Sequence, residues 1–99
     1  MAPEKYVTPD ELRELFNDGS YYERLQQGEF TPEITDVGRA PARFPVSVRS
    51  QMVTYMDRSG RTIAVVHQYG YDNGDVVEGT DPDPKFLFKD GVRYKLLRP

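Results

Sequence analysis

Two turns constrain this chain more than any other feature. Asp57-Arg58-Ser59-Gly60 and Asp90-Gly91 each separate two runs rich in β-branched and aromatic residues, the types that suit a pleated, half-buried surface. Gly60 supplies a positive φ without steric cost. Asp-Gly between alternating residues is a strong signal for a two-residue hairpin. Two such hairpins commit much of residues 49–97 to an antiparallel sheet.

In the first hairpin, Arg49 to Tyr71, a four-residue type I turn sets Asp57 opposite Arg61, Tyr55 opposite Ile63 and Val53 opposite Val65. Gln51 then faces His67, and Arg49 faces Tyr69. One face carries an apolar centre and a polar outer end of Arg49, Gln51, His67 and Tyr69. The other carries Met52, Thr54, Met56, Ala64, Val66 and Gln68. Neither face is cleanly polar, so either both are covered or one is left for a partner. A one-residue slip would exchange the faces. In the second hairpin Lys89 opposes Val92, Leu87 opposes Tyr94 and Lys85 opposes Leu96, which puts Phe86 and Phe88 on the face of Arg93 and Lys95.

The segment before the hairpins reads differently. Thr8-Pro9-Asp10-Glu11 is a capping box with proline at the first helical position, and Leu12, Leu15 and Phe16 follow at helical spacing. Asn17-Asp18-Gly19 ends that helix. Ser20-Tyr21-Tyr22-Glu23 repeats the capping pattern, and Gly28 is a natural residue just past a helix end. Both helices are too short to persist alone and must dock; of Tyr21 and Tyr22, one is expected packed and one wetted. Residues 29–48 hold Pro32, Pro41 and Pro45 and read as an irregular connection, anchored by Phe30 and Ile34. Residues 70–84 form an acidic loop that ends in the stiff Asp81-Pro82-Asp83-Pro84. The predicted architecture is a single α+β domain over residues 1–99, helical at 8–28, irregular at 29–48 and sheet at 49–97. Two short N-terminal helices pack on one face of a four- to five-stranded antiparallel sheet built from the two hairpins.

Composition excludes several classes of function. The chain has no cysteine, so disulfides and thiolate metal sites are ruled out. With one histidine and no matching ligand spacing, no metal site is expected. No nucleotide-binding, zinc-protease or serine-hydrolase motif is present, so no cofactor is expected. The first residues lack the apolar core of a secretory signal, and no run has membrane-spanning length; the expectation is a cytoplasmic protein with no membrane partner. Nine of the 16 acidic residues but only three of the 13 basic ones fall in residues 1–36, so an acidic N-terminal third precedes a mildly basic remainder.

Three groups could carry function. Arg49, Gln51, His67 and Tyr69 combine a side chain suited to proton transfer near neutral pH with an anion binder. In a catalytic reading His67, Arg49 and Tyr69 would assist attack of a ribose 2′-hydroxyl on its phosphate; the plain reading is a strand histidine without chemistry. Lys85, Phe86, Phe88, Lys89, Arg93, Tyr94 and Lys95 interleave aromatics with cations, as stacking on nucleobases requires; the plain reading is a core face beside a polar strand edge. The carboxylates of Asp72, Asp75, Glu78, Asp81 and Asp83 suit a hard cation by type but not by spacing, and otherwise form a solvated turn.

The segments His67-Gln68-Tyr69, Asp81-Pro82-Asp83-Pro84-Lys85 and Asp90-Gly91-Val92-Arg93-Tyr94 resemble the C-terminal pattern of short uncharacterised bacterial proteins. That resemblance covers about the last third of the chain and implies no function. Helices followed by an antiparallel sheet are also similar in architecture to the small RelE-like ribonuclease toxins, although those are usually more basic. The reading that follows is a non-enzymatic interaction protein. It binds a protein partner, or a second copy of itself, through an open sheet face or the acidic 70–84 loop, with Gln51, His67, Tyr69, Lys85, Phe86, Phe88, Arg93 and Lys95 as the partner-binding residues. The second reading is a metal-independent RNA-binding or RNA-cleaving protein that uses His67, Arg49 and Tyr69.

Overall fold

The computed structural model describes residues 2–97. In chain order it contains β1 (Glu4–Val7), α1 (Pro9–Asp18), α2 (Tyr21–Gln26), β2 (Thr31–Arg39), β3 (Arg49–Met56), β4 (Thr62–Gly70), β5 (Asp83–Lys89) and β6 (Val92–Leu96). The strands form one sheet in the order β1-β6-β5-β4-β3-β2. All neighbours are antiparallel except β1 and β6, which run parallel. The α+β class agrees with the expectation, but six mixed strands replace four or five antiparallel ones.

Both extra strands lie at the edges, and that explains why the sequence concealed them. β1 buries only Val7, so it shows no alternation. β2 lies within the stretch expected to be irregular, and all its residues but Ile34 are exposed. Proline is tolerated on an edge strand, where its missing N–H breaks no ladder bond, and Pro32 pairs with Tyr55 on that edge. The register of β2 shifts between Ile34 and Asp36, a bulge that, with Pro32, Glu33 and Asp36, blunts the edge against strand addition.

The helix boundaries follow their local chemistry. Thr8 Oγ1 accepts from Glu11 N at 3.2 Å and Glu11 Oε1 accepts from Thr8 N at 3.0 Å, so the capping box forms. Ser20 breaks its expectation: it sits at φ 54 and makes no side-chain cap bond. The tight link between the helices demands a left-handed residue there, and that geometry turns the hydroxyl away from the helix start. Gly28, at φ +85, ends α2 as expected, with Gly28 N bonded to Leu25 O and Glu29 N to Arg24 O, the paired bonds of a Schellman motif.

Both helices dock on one face of the sheet. Leu12, Phe16 and Tyr21 close on Val53, Tyr55, Ala64, Val66 and Leu87, joined by Val7 and Phe30. Phe16, Tyr21, Phe30 and Tyr55 form a closed ring of aromatic contacts with centroid separations of 5.8 to 6.4 Å, within the range that favours stacked and tilted pairs. Tyr21 is the packed member of its pair and Tyr22 is half-buried. Among the described residues no helix is long and apolar enough to cross a membrane.

One bulge decides which side chains share a face. The first turn forms as expected, with Asp57 N bonded to Arg61 O and Gly60 at φ +84. Met56 then pairs with Thr62, but Tyr55 pairs with Ala64, so Ile63 is the extra residue. Beyond it every partner is displaced by one: Val53 faces Val66, Gln51 faces Gln68 and Ser50 faces Tyr69. The expected pairing of Val53 with Val65 and Gln51 with His67 is therefore overturned, because a bulge places two residues opposite one. The second hairpin has the expected register, with Leu87 opposite Tyr94 and Lys89 opposite Val92. Its Asp90-Gly91 turn has both residues at positive φ.

Candidate functional site

The bulge splits the expected polar cluster between the two sides of the sheet. Gln51 turns under the helix-bearing face, 2 % exposed, where its Nε2 donates to Tyr71 O and its Oε1 accepts from Gln68 Nε2, each at 3.0 Å. Gly70 leaves room for this pair, since a Cβ there would lie 2.3 Å from Gln51 Oε1. Arg49 folds back onto its own chain and donates through Nη1 to Val46 O and to Val48 O. His67 and Tyr69 stay together on the opposite face, half-buried.

There His67 meets partners the sequence did not single out. Its Nε2 lies 2.6 Å from Ser50 Oγ, in a hydrogen bond whose direction the imidazole tautomer sets. The Tyr69 ring stands edge-on to the imidazole at 5.0 Å and packs on Phe44 at 4.7 Å. The Arg43 guanidinium covers Phe44 at 4.7 Å and reaches toward Tyr69 at 6.0 Å. Only the true register could have revealed Ser50, since a lone serine in a strand carries no signal. Phe44 and Arg43 arrive from the proline-rich connection.

The same face continues toward β6. Val65 pairs with Phe86, Phe86 with Lys95 and Phe88 with Arg93. With Arg61, whose guanidinium lies 5.3 Å over Phe88, these residues line a shallow groove of ≈ 600 Å³. Glu4 borders it, with its Oε1 2.9 Å from Lys95 Nζ and 4.0 Å from Arg93; hydrogen bonding and charge from Lys95 hold the Glu4 carboxyl below its ordinary range. Lys85 sits where the register between β4 and β5 shifts and pairs with Asp83 at 3.0 Å. Of the expected binding residues, the open face thus unites His67, Tyr69, Phe86, Phe88, Arg93 and Lys95. Gln51 and Lys85 are engaged elsewhere.

The His67–Ser50 pair supplies one part of a nucleophile site. A neutral imidazole can accept the Ser50 proton, the first step of activating a nucleophile. Ser50, however, lies in an interior strand between Gly38 and Tyr69, so its N–H belongs to the ladder and cannot stabilise an oxyanion. Among the described residues no group of three His, Asp or Glu side chains could hold a metal ion.

The acidic loop is tied down rather than loose. Gln68 Nε2 donates to Gly74 O at 3.1 Å, and Asp75 N donates to Asn73 Oδ1 at 2.9 Å. Asp83 is engaged by Lys85 and by Arg13 Nε at 3.1 Å. Burial alone would raise its carboxyl, but hydrogen bonds and charge from these two cations outweigh that and lower it.

No family model, curated protein or solved structure matches this chain.

Proposed function

We propose that this is a non-enzymatic interaction protein, that its uncovered sheet face rather than the 70–84 loop is the binding surface, and that the face receives a second copy of the same chain. The observation that carries this reading is a group of half-exposed apolar side chains, Met52, Val65, Phe86 and Phe88, on β3, β4 and β5 of the face that carries no helix. An apolar group of this kind, rimmed by polar residues, is a usual mark of an interaction site. The charge at its two sides differs in sign. Arg93 and Lys95 lie on β6, whereas Glu33 and Asp36, paired with Thr54 and Met52, lie on β2. A two-fold axis in the plane of the face and parallel to the strands sets β6 of one copy over β2 of the other, so opposite charges meet and the apolar groups close together. The test is molar mass in solution by sedimentation over a concentration series. Wild type is expected to dimerise and Val65→Asp to remain a folded monomer. A wild-type protein still monomeric at millimolar concentration overturns the reading.

The second reading is RNA binding or cleavage at the His67 end of the same face. Its specific support is the Ser50–His67 hydrogen bond beside the Arg43, Phe44 and Tyr69 stack, which joins a proton-transfer group to a cation and aromatic platforms. Incubation with mixed RNA decides it. Cleavage by wild type that is lost in His67→Ala establishes this reading, and absence of both cleavage and salt-sensitive RNA retention removes it.

A further inference from the structure

The helix-bearing side of the sheet holds a second, separate cavity. α1 packs on β5 and β6, which leaves the β2–β3–β4 half of that face to α2 and the 70–84 loop. These do not close on each other. Between them lies a cleft of ≈ 530 Å³, floored by Ile34, Val53 and Gln68 from three strands and walled by Tyr22 and Leu25 on one side and Asp75 on the other. That volume lies within the range of small-molecule pockets, about 300–1,000 Å³.

The lining specifies the chemistry of an occupant. Gln68 is 3 % exposed and spends its Nε2 on both Gln51 Oε1 and Gly74 O. Two acceptors on one atom fix the orientation of the amide, so Oε1 is its free end. No donor among the described residues is bonded to that oxygen; it opens on the cleft, where it can accept from an occupant. The Asp75 carboxylate stands at the rim, with Asn73 Nδ2 donating to it at 3.0 Å. No lysine, arginine or histidine lines the cleft. Leu25, Ile34 and Val53 supply apolar walls. The ligand that matches is a donor-rich cation on a compact apolar body.

We propose that this cleft binds an amidinium, guanidinium or alkylammonium group, which donates to Gln68 Oε1 and pairs with the Asp75 carboxylate while its carbon skeleton rests on Ile34 and Val53. The site is independent of the open face and stands whether or not that face mediates dimerisation. A free small amine and an arginine side chain of a polypeptide share this chemistry.

The test is titration of the ¹⁵N-labelled protein with benzamidine and with its neutral isostere benzamide, followed by backbone and side-chain amide shifts. Benzamidine is expected to give saturable shifts at Gly74, Asp75, Val76 and the Gln68 side-chain amide, with benzamide at least tenfold weaker. Asp75→Asn, at an exposed position, is expected to keep the remaining spectrum and weaken benzamidine at least fivefold. Agmatine and acetyl-Gly-Arg-Gly-amide separate the sources: tighter binding of agmatine marks a small amine, and tighter binding of the peptide marks a polypeptide side chain. Equal binding of benzamide, an unchanged affinity in Asp75→Asn, or no saturable response to any of the three cations overturns the proposal.

Discussion

Tyr55 is the largest of the fully buried side chains among the described residues, and it carries an unmet need. Its side chain is fully enclosed, and its hydroxyl is buried without a hydrogen-bond partner. Burial above all, with Tyr22 and Glu23 adding to it, pushes ionisation of that hydroxyl far up, so the group stays protonated and its desolvation goes uncompensated. The ring packs against Phe16 and Phe30; the oxygen adds nothing to that packing. Tyr55→Phe is therefore expected to raise unfolding free energy by about 1 kcal/mol, read from urea denaturation. A loss of stability would mean that the hydroxyl has a partner in solution. Legibility at this scale was uneven. The composition of the first hairpin pointed to His67 and Tyr69, and both do sit together on the open face. Ser50 was invisible because its role exists only through the register that sets it beside His67. Gln51 and Gln68 looked like polar strand residues, yet they are the buried pair that anchors the 70–84 loop.

Local signals hold where the backbone is free to obey them. Thr8 and Glu11 satisfy each other's backbone N–H groups as the capping pattern requires. Ser20 and Glu23 carry the same pattern but form no cap, because the link from α1 to α2 holds Ser20 at φ 54. The two sites therefore predict opposite responses. Thr8→Ala should destabilise the protein by about 1 kcal/mol. Ser20→Gly should leave stability unchanged or raise it slightly, since glycine adopts a left-handed φ without strain. Thermal unfolding of the two variants side by side checks both; a Ser20→Gly loss matching that of Thr8→Ala would show that Ser20 caps after all. The bulge at Ile63 is the counterexample for strands. The turn chemistry of Asp57 to Gly60 was legible, but the extra residue follows it and obeys tertiary packing. Ala64 and Val66 reach the core only because the extra residue Ile63 shifts the register, and no local signal announces that.

Across the whole molecule, the carboxylates set an acid limit. Hydrogen bonding and charge from Lys95 lower Glu4, backbone and side-chain bonds to Thr8 lower Glu11, Arg24 lowers Glu29 and Ser59 lowers Asp57. Asp83 is lowered as well, despite its burial. A carboxyl depressed in the folded state contributes stability that is present above its unfolded pKa and is lost as pH falls through its folded value. The melting temperature is therefore expected to hold steady from pH 7 to about pH 5 and to decline on further acidification, below the ordinary carboxylate values of 4.5 and 3.8. A rise in melting temperature between pH 5 and 3.5 would contradict the assignment. The class of the fold was legible from patterning, but the side on which the helices lie was not, because the bulge after the first turn exchanges the two expected faces. The outer strands were not, because edge strands need little burial and show no alternation. The partner of β1 also has consequences in time. β6 follows β1 by almost the full length of the chain, and Glu4 pairs with Arg93 and Val7 with Leu96. A nascent polypeptide therefore emerges from the ribosome with its first strand idle. Val7, buried in the folded protein, stays unsheltered until β6 has been made. Loop-closure entropy must be met before so distant a pairing rewards it, so this edge of the sheet is expected to form after the hairpins.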